Sequence, residues 1–132
     1  MTPKKLTTRP GDRGQAKKRA GIAGTYLEVA RLVESEEGAT VNVCVGLAVL
    51  AGIAAGDAIC LSALGERYSG TDHRSAADLL GRVDSDLGKH LRKLVSFKPA
   101  SHYGERLLGS VDRGAALRAA EALVEAASRR TR

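Results

Sequence analysis

The chain has 132 residues, 43% of them apolar and only 3% aromatic, with 21 basic and 15 acidic residues for a net charge of +6. That length suits a single domain with a real core. One Phe, three Tyr and no Trp argue against an open platform on which nucleic-acid bases stack.

Residues 1–14, with two Pro, two Gly and many charges, are predicted to form a disordered basic arm ahead of a helical domain at 15–132. Lys4, Lys5, Arg9, Arg13, Lys17, Lys18 and Arg19 face the single acid Asp12 in the first twenty residues, so the rest of the chain is neutral. Such an arm offers salt-sensitive, sequence-independent attraction to nucleic acid, or is simply a solvated tail. Helix 1 is expected from Gln15 to Glu36, with Ile22, Tyr26, Val29 and Val33 at helical spacing, widened by Leu27 and Leu32. Helix 2 is expected from Thr40, as N-cap, to Glu66. It is apolar nearly all round, hence buried on most sides. Its Gly46, Gly52 and Gly56 each cost about 1 kcal/mol against Ala in a helix interior, which makes sense if neighbouring backbones come close. The charge-free run from Val43 to Gly56 is too short to span a bilayer.

Helix 3 is expected from Asp72 to Val95, on the stripe Ala76, Leu80, Val83, Leu87, Leu91 and Leu94, with Thr71 or Asp72 as cap. Residues 96–111 read as a loop, since Lys98 and Pro99 end any continuation. Helix 4 is expected from Asp112 to Arg130, with Ala116, Ala120, Leu123 and Ala127 on one face. The fold class is therefore all-α, a four-helix up-down bundle. Cys44 and Cys60 on one helix cannot bridge each other and read as core thiols of a reducing cytoplasm. No apolar stretch follows the basic N-terminus as a secretory leader would require. No CxxC or CxxH spacing, histidine pair at i, i+4, P-loop or GxGxxG occurs, so neither a metal nor a cofactor is expected.

The stretch from Arg67 to His73 carries the most chemical content. It places a guanidinium, suited to phosphate, and an imidazole, which titrates near neutrality, at opposite ends of a short loop. A helix N-terminus disfavours the charged imidazole, which favours a general base. The alternative is that both residues cap helix ends. Asp57, inside the apolar run, needs a partner, and an Arg or the rim would supply it. Tyr68, Asp72, His102 and Tyr103 are further candidates for the pocket, Tyr103 as a core-edge ring or a pocket wall.

Several stretches together resemble the HEPN superfamily of small helical bundles. Val41 to Leu61 resembles its long second helix, Gly70 to His73 its loop histidine, Lys98 to Gly104 its segment before the last helix, and Arg113 to Ala127 that last helix. The resemblance implies a dimeric bundle whose Arg-x5-His motif, here Arg67 and His73, forms a metal-independent RNase site in a cleft between subunits. It also implies, for many members, a toxin role with a small nucleotidyltransferase as the silencing partner. Three positions depart from the family pattern: Tyr68 where a polar residue is common, Ser75 where silenced toxins carry Tyr, and His102 where an acid is common. The leading functional expectation is RNA cleavage by Arg67 and His73. The alternative is a non-catalytic helical dimer that binds a nucleotide or a partner protein. A DNA-binding regulator ranks last, because the third helix has no basic excess.

Overall fold

The computed structural model describes residues 5–104 and 106–132. Among these, the chain is all-α apart from one two-stranded ribbon. In chain order it runs β1 (Thr8–Pro10), α1 (Arg13–Leu32), α2 (Ala39–Leu64), β2 (Glu66–Tyr68), α3 (His73–Val83), α4 (Ser85–Val95), α5 (Lys98–Tyr103) and α6 (Ser110–Arg130).

The centre is α2, against which α1, α3, α4, α5 and α6 all pack. It starts after Gly38, at φ 67, rather than being capped by Thr40. It stops at Gly65, also left-handed, whose N–H donates to the Leu61 carbonyl at 3.0 Å. At 26 residues it outruns the charge-free stretch and is long and apolar enough to cross a bilayer by length and composition. Most of it is buried inside the fold, as its all-round apolarity demands. Its glycines do not admit neighbouring backbones. A Cβ at Gly52 would meet Leu94 and Leu123, and one at Gly56 would meet Leu91 at 3.1 Å, so these positions are sockets for leucines.

Four further expectations are corrected. First, the buried line of α1 is Ala16, Ala23 and Ala30, not the larger apolar residues. Small side chains let α1 lie close on α2, and this leaves Ile22, Val29 and Leu32 exposed (Leu32 at 79%). Tyr26, Leu27 and Val33 are half-buried at the margins. Second, residues 8–14 belong to the fold: β1 pairs with β2, and Asp12 caps α1. The Asp12 carboxylate accepts from the Gln15 N–H and the Gln15 side chain accepts from the Asp12 N–H, both at 2.8 Å. Lys4 lies outside the described residues. Third, the helix expected over 72–95 is a hairpin of two helices. Asp84 sits extended between them, and its carboxylate accepts from the Leu87 N–H at 3.0 Å. The apolar stripe survives the break because both halves still face α2. Fourth, the loop expected over 96–111 holds α5, with Pro99 in its first turn, where a missing N–H costs nothing.

In the α3–α4 hairpin, unlike the glycines of α2, backbones do meet. A Cβ at Gly88 would stand 2.7 Å from the Gly81 Cα and 3.1 Å from the Ala77 carbonyl oxygen. Gly88→Ala is therefore expected to destabilise the fold by about 1–3 kcal/mol, although alanine is the better helix former. Urea unfolding measures this, and an unchanged or raised midpoint would refute the close packing of α3 on α4.

Candidate functional site

The ribbon sets the geometry. In its antiparallel register Thr8 faces Tyr68, Arg9 faces Arg67 and Pro10 faces Glu66. It is tied at both ends by backbone bonds, Gly11 N–H to Gly65 O and Ser69 N–H to Thr7 O, each 3.0 Å. Arg67 thus stands on a strand, not on the last turn of α2. From β2 the chain turns under Tyr68, whose hydroxyl accepts the Asp72 N–H at 3.0 Å. A Cβ at Gly70 would collide with that ring, so glycine is what lets the loop close over it. Asp72 then caps α3, accepting from the Arg74 N–H at 3.0 Å, and its carbonyl takes the Ser75 N–H. His73 is consequently fixed as the first residue of α3.

The imidazole of His73 is half-buried. Burial, assisted by the positive charge of Lys98, lowers its pKa below 6.5, with Asp72 pulling the other way and His102 adding to the lowering. The ring is therefore held neutral at neutral pH, the form a general base needs. A histidine with a lowered folded pKa binds fewer protons folded than unfolded, so its stability contribution is intact above the unfolded pKa. That contribution is lost as pH falls from 6.5 through the lowered value. Wild type is expected to lose stability over this window more steeply than His73→Gln. Denaturant midpoints taken from pH 7 to pH 5 measure it, and parallel curves would refute a neutral His73.

Lys98 and His102 come from α5. When the His102 Nε2 carries a proton it can donate to the Gly46 carbonyl, 3.4 Å away, over a glycine of α2. His73, Lys98 and His102 thus form one electrostatic cluster at the α3–α5 end. Tyr103 is 72% exposed, in solvent rather than at the core edge. The base of α5 is held by Asn42, buried on α2, which donates to the carbonyls of Ala100 (3.1 Å) and Arg106 (2.9 Å) and accepts the Leu108 N–H at 2.8 Å.

Arg67 has different surroundings. It lines a cavity of about 360 Å³ with Arg9, Lys18 and Arg19, walled by Pro10, Gln15, Ile22 and Leu61. Its guanidinium donates to the Tyr68 carbonyl at 3.2 Å. Below lies Asp57, which does pair with an arginine: Arg19 Nη2 reaches it at 2.9 Å. Burial raises the Asp57 pKa, and the charges of Arg19 and Arg67 oppose that. Within one chain, then, no contact joins Arg67 to His73 among the described residues; the loop between them separates two clusters. Of the other basic residues near the N-terminus, Arg13 donates to the Arg132 carbonyl at 3.5 Å, and Lys17 lines a groove with Thr131 and Arg132.

Cys44 and Cys60 are free and buried. Burial, with Asp57 and Glu66 near, pushes the Cys60 thiol up to about 12, and the Cys44 thiol is raised mainly by burial, so neither is a ready nucleophile. Among the described residues no group of His, Cys, Asp and Glu is placed to hold a metal ion. No protein-family model matches the chain, and no curated protein matches it.

The sequence reading did not find Lys98 as a neighbour of His73, nor the pairing of Arg9 with Arg67. Lys98 is 25 positions from His73 and Arg9 is 58 from Arg67, so no local spacing links either pair. Asn42 did leave a signal: it is a lone amide in an apolar run, and a buried amide must find partners.

Proposed function

We propose that the chain is a HEPN-like helical protein that cleaves RNA without a metal, with His73 as general base. The observation that supports this most is the setting of His73. It is a neutral imidazole fixed at a capped helix start, with Lys98 and a second imidazole, His102, acting on its charge. In the reaction, His73 takes the proton of a ribose 2′-hydroxyl as that oxygen bonds to the adjacent phosphorus. The bond from phosphorus to the 5′-oxygen breaks, and that oxygen takes a proton from an acid, the role assigned to His102. The products are a 2′,3′-cyclic phosphate and a free 5′-hydroxyl. Lys98 offsets charge growing on the phosphoryl oxygens. Arg67 binds phosphate rather than sharing a proton with His73.

The reading includes a homodimer. The exposed Val29 and Leu32 on α1 form an apolar face of the kind a second subunit covers. A monomer in light scattering would remove the shared cleft. The second reading is a non-catalytic dimer that binds a nucleotide or a partner protein, and the separate cavity around Arg67 supports the nucleotide.

The test is cleavage of a mixed RNA pool in EDTA, wild type beside His73→Ala. Cleavage that disappears in the variant, with the helical signal intact, supports the nuclease. Equal or absent cleavage in both leaves the binding reading.

A further inference from the structure

The ribbon contains an arrangement that folding alone does not favour. Arg9 and Arg67 are direct cross-strand partners, and like charges directly opposite each other repel. Lys18 and Arg19, one helical turn along from the ribbon, add two more cations to the same cavity. Against these four charges stands Asp57, already engaged by Arg19. Arg9 and Lys18 make no ion pair among the described residues. The Arg19 Nε is buried and has no acceptor, although buried guanidinium donors are normally satisfied. The bond to Asp57 holds one edge of the Arg19 fork, and the bond to the Tyr68 carbonyl holds Arg67, so both guanidinium groups are oriented in advance. The cavity also has an apolar wall of Pro10, Ile22 and Leu61, at a size that suits part of a small organic ligand.

We infer that this cavity is a phosphate-binding site, built by Arg9 and Arg67 across the ribbon with Lys18 and Arg19 from α1, for the phosphoryl group of a nucleotide or of an RNA strand. An anion between Arg9 and Arg67 turns their repulsion into a shared attraction, and its oxygens supply the acceptors the cavity lacks. The apolar wall takes the sugar or base attached to that phosphate. The site does not depend on cleavage at His73. It gives the arginine of the loop a role apart from the histidine, in keeping with their different neighbours: one cluster grips phosphate while the other handles protons.

The experiment is thermal unfolding of the full chain titrated with inorganic phosphate, a 5′-mononucleotide or a short 2′-O-methyl RNA. Each is compared with chloride at matched ionic strength, so that general screening is subtracted. Wild type is expected to gain stability from phosphate beyond the chloride control. Arg9→Gln and Lys18→Gln are expected to weaken this binding by at least about tenfold. Without ligand, Arg9→Gln should melt no lower than wild type, because it removes a like-charge pair; a folding defect would instead lower it. Tighter binding of the RNA than of the mononucleotide assigns the site to a strand, and the reverse assigns it to a free nucleotide. A phosphate response reproduced by chloride, or one unchanged in both variants, overturns the site. His73→Ala should keep the phosphate response, so failure of cleavage and failure of this site are read separately.

Discussion

His73→Ala is expected to lower the rate of metal-free RNA cleavage by about 10²–10⁴-fold, the usual worth of a positioned general base. The ring sits at the start of α3 on a loop closed by Tyr68 and Asp72, so its position is set by bonds independent of any ligand. Its lowered pKa favours the neutral ring at pH 7, the form the proposed base needs. The acid limb of the rate profile should therefore lie at lower pH than an ordinary histidine would give. In Lys98→Ala, removing the nearby positive charge should let the His73 pKa rise and move that limb toward neutral pH. The variant pair separates roles. Loss of Lys98 shifts the pH profile, and loss of His73 removes it. A profile identical in wild type and Lys98→Ala would dissolve the cluster even if cleavage were real. Tyr68→Phe should act more mildly, because it loosens the Asp72 cap without touching the ring.

Asn42→Ala is expected to destabilise the protein by about 3 kcal/mol, the penalty for one buried N–H left without a partner together with the loss of two further hydrogen bonds. The Asn42 amide serves three backbone groups at once, one in α5 and two in the connection that leads to α6. Deleting it strands the Leu108 N–H where Leu108 is itself buried, and takes one of two donors from the Ala100 carbonyl, which keeps the Gly104 N–H at 3.1 Å. The corresponding fall in melting temperature is about 10 °C for a domain of this size. Asn42→Asp is the sharper comparison. It keeps an acceptor for the Leu108 N–H but points a carboxylate at two carbonyl oxygens, so it should be at least as damaging as alanine. Calorimetry on the three proteins decides it, and an Asn42→Ala variant that melts with wild type would show that this network carries no stability. Because α5 also carries Lys98 and His102, any loss in Asn42→Ala should extend to the His73 cluster.

Much of the fold was legible because the patterns behind it are local. The apolar density from Val41 to Leu61 required a buried central helix, and α2 is that helix. The stripe Ala116, Ala120, Leu123 and Ala127 lies buried on α6 as its spacing required. Asp57 needed a partner and has Arg19. The errors came from choices that periodicity does not make. An alanine line and a leucine–valine line both run along α1 at helical spacing, and only the presence of α2 decides which turns inward. Asp84 is compatible with a helix interior or with a cap, and the hairpin exists because Gly88 lets two backbones touch. Thr8, Arg9 and Pro10 are too short a strand to show in the sequence and become one only because Glu66 to Tyr68 offers an edge.

The amino-acid sequence by itself determined that this chain is helical, that α2 forms its core and that a histidine stands at the start of a helix behind a loop. These follow from hydrophobic period, chain stiffness and capping chemistry, which act over a few residues. Only the tertiary structure decided which charges that histidine meets. Lys98 and His102 reach it because α5 folds back across α2. Arg67 is placed beside Arg9, Lys18 and Arg19 instead, because the first strand pairs with the segment after α2. The physical reason is range: a side chain's electrostatic partners are set by packing between distant segments, and no spacing along the chain records them.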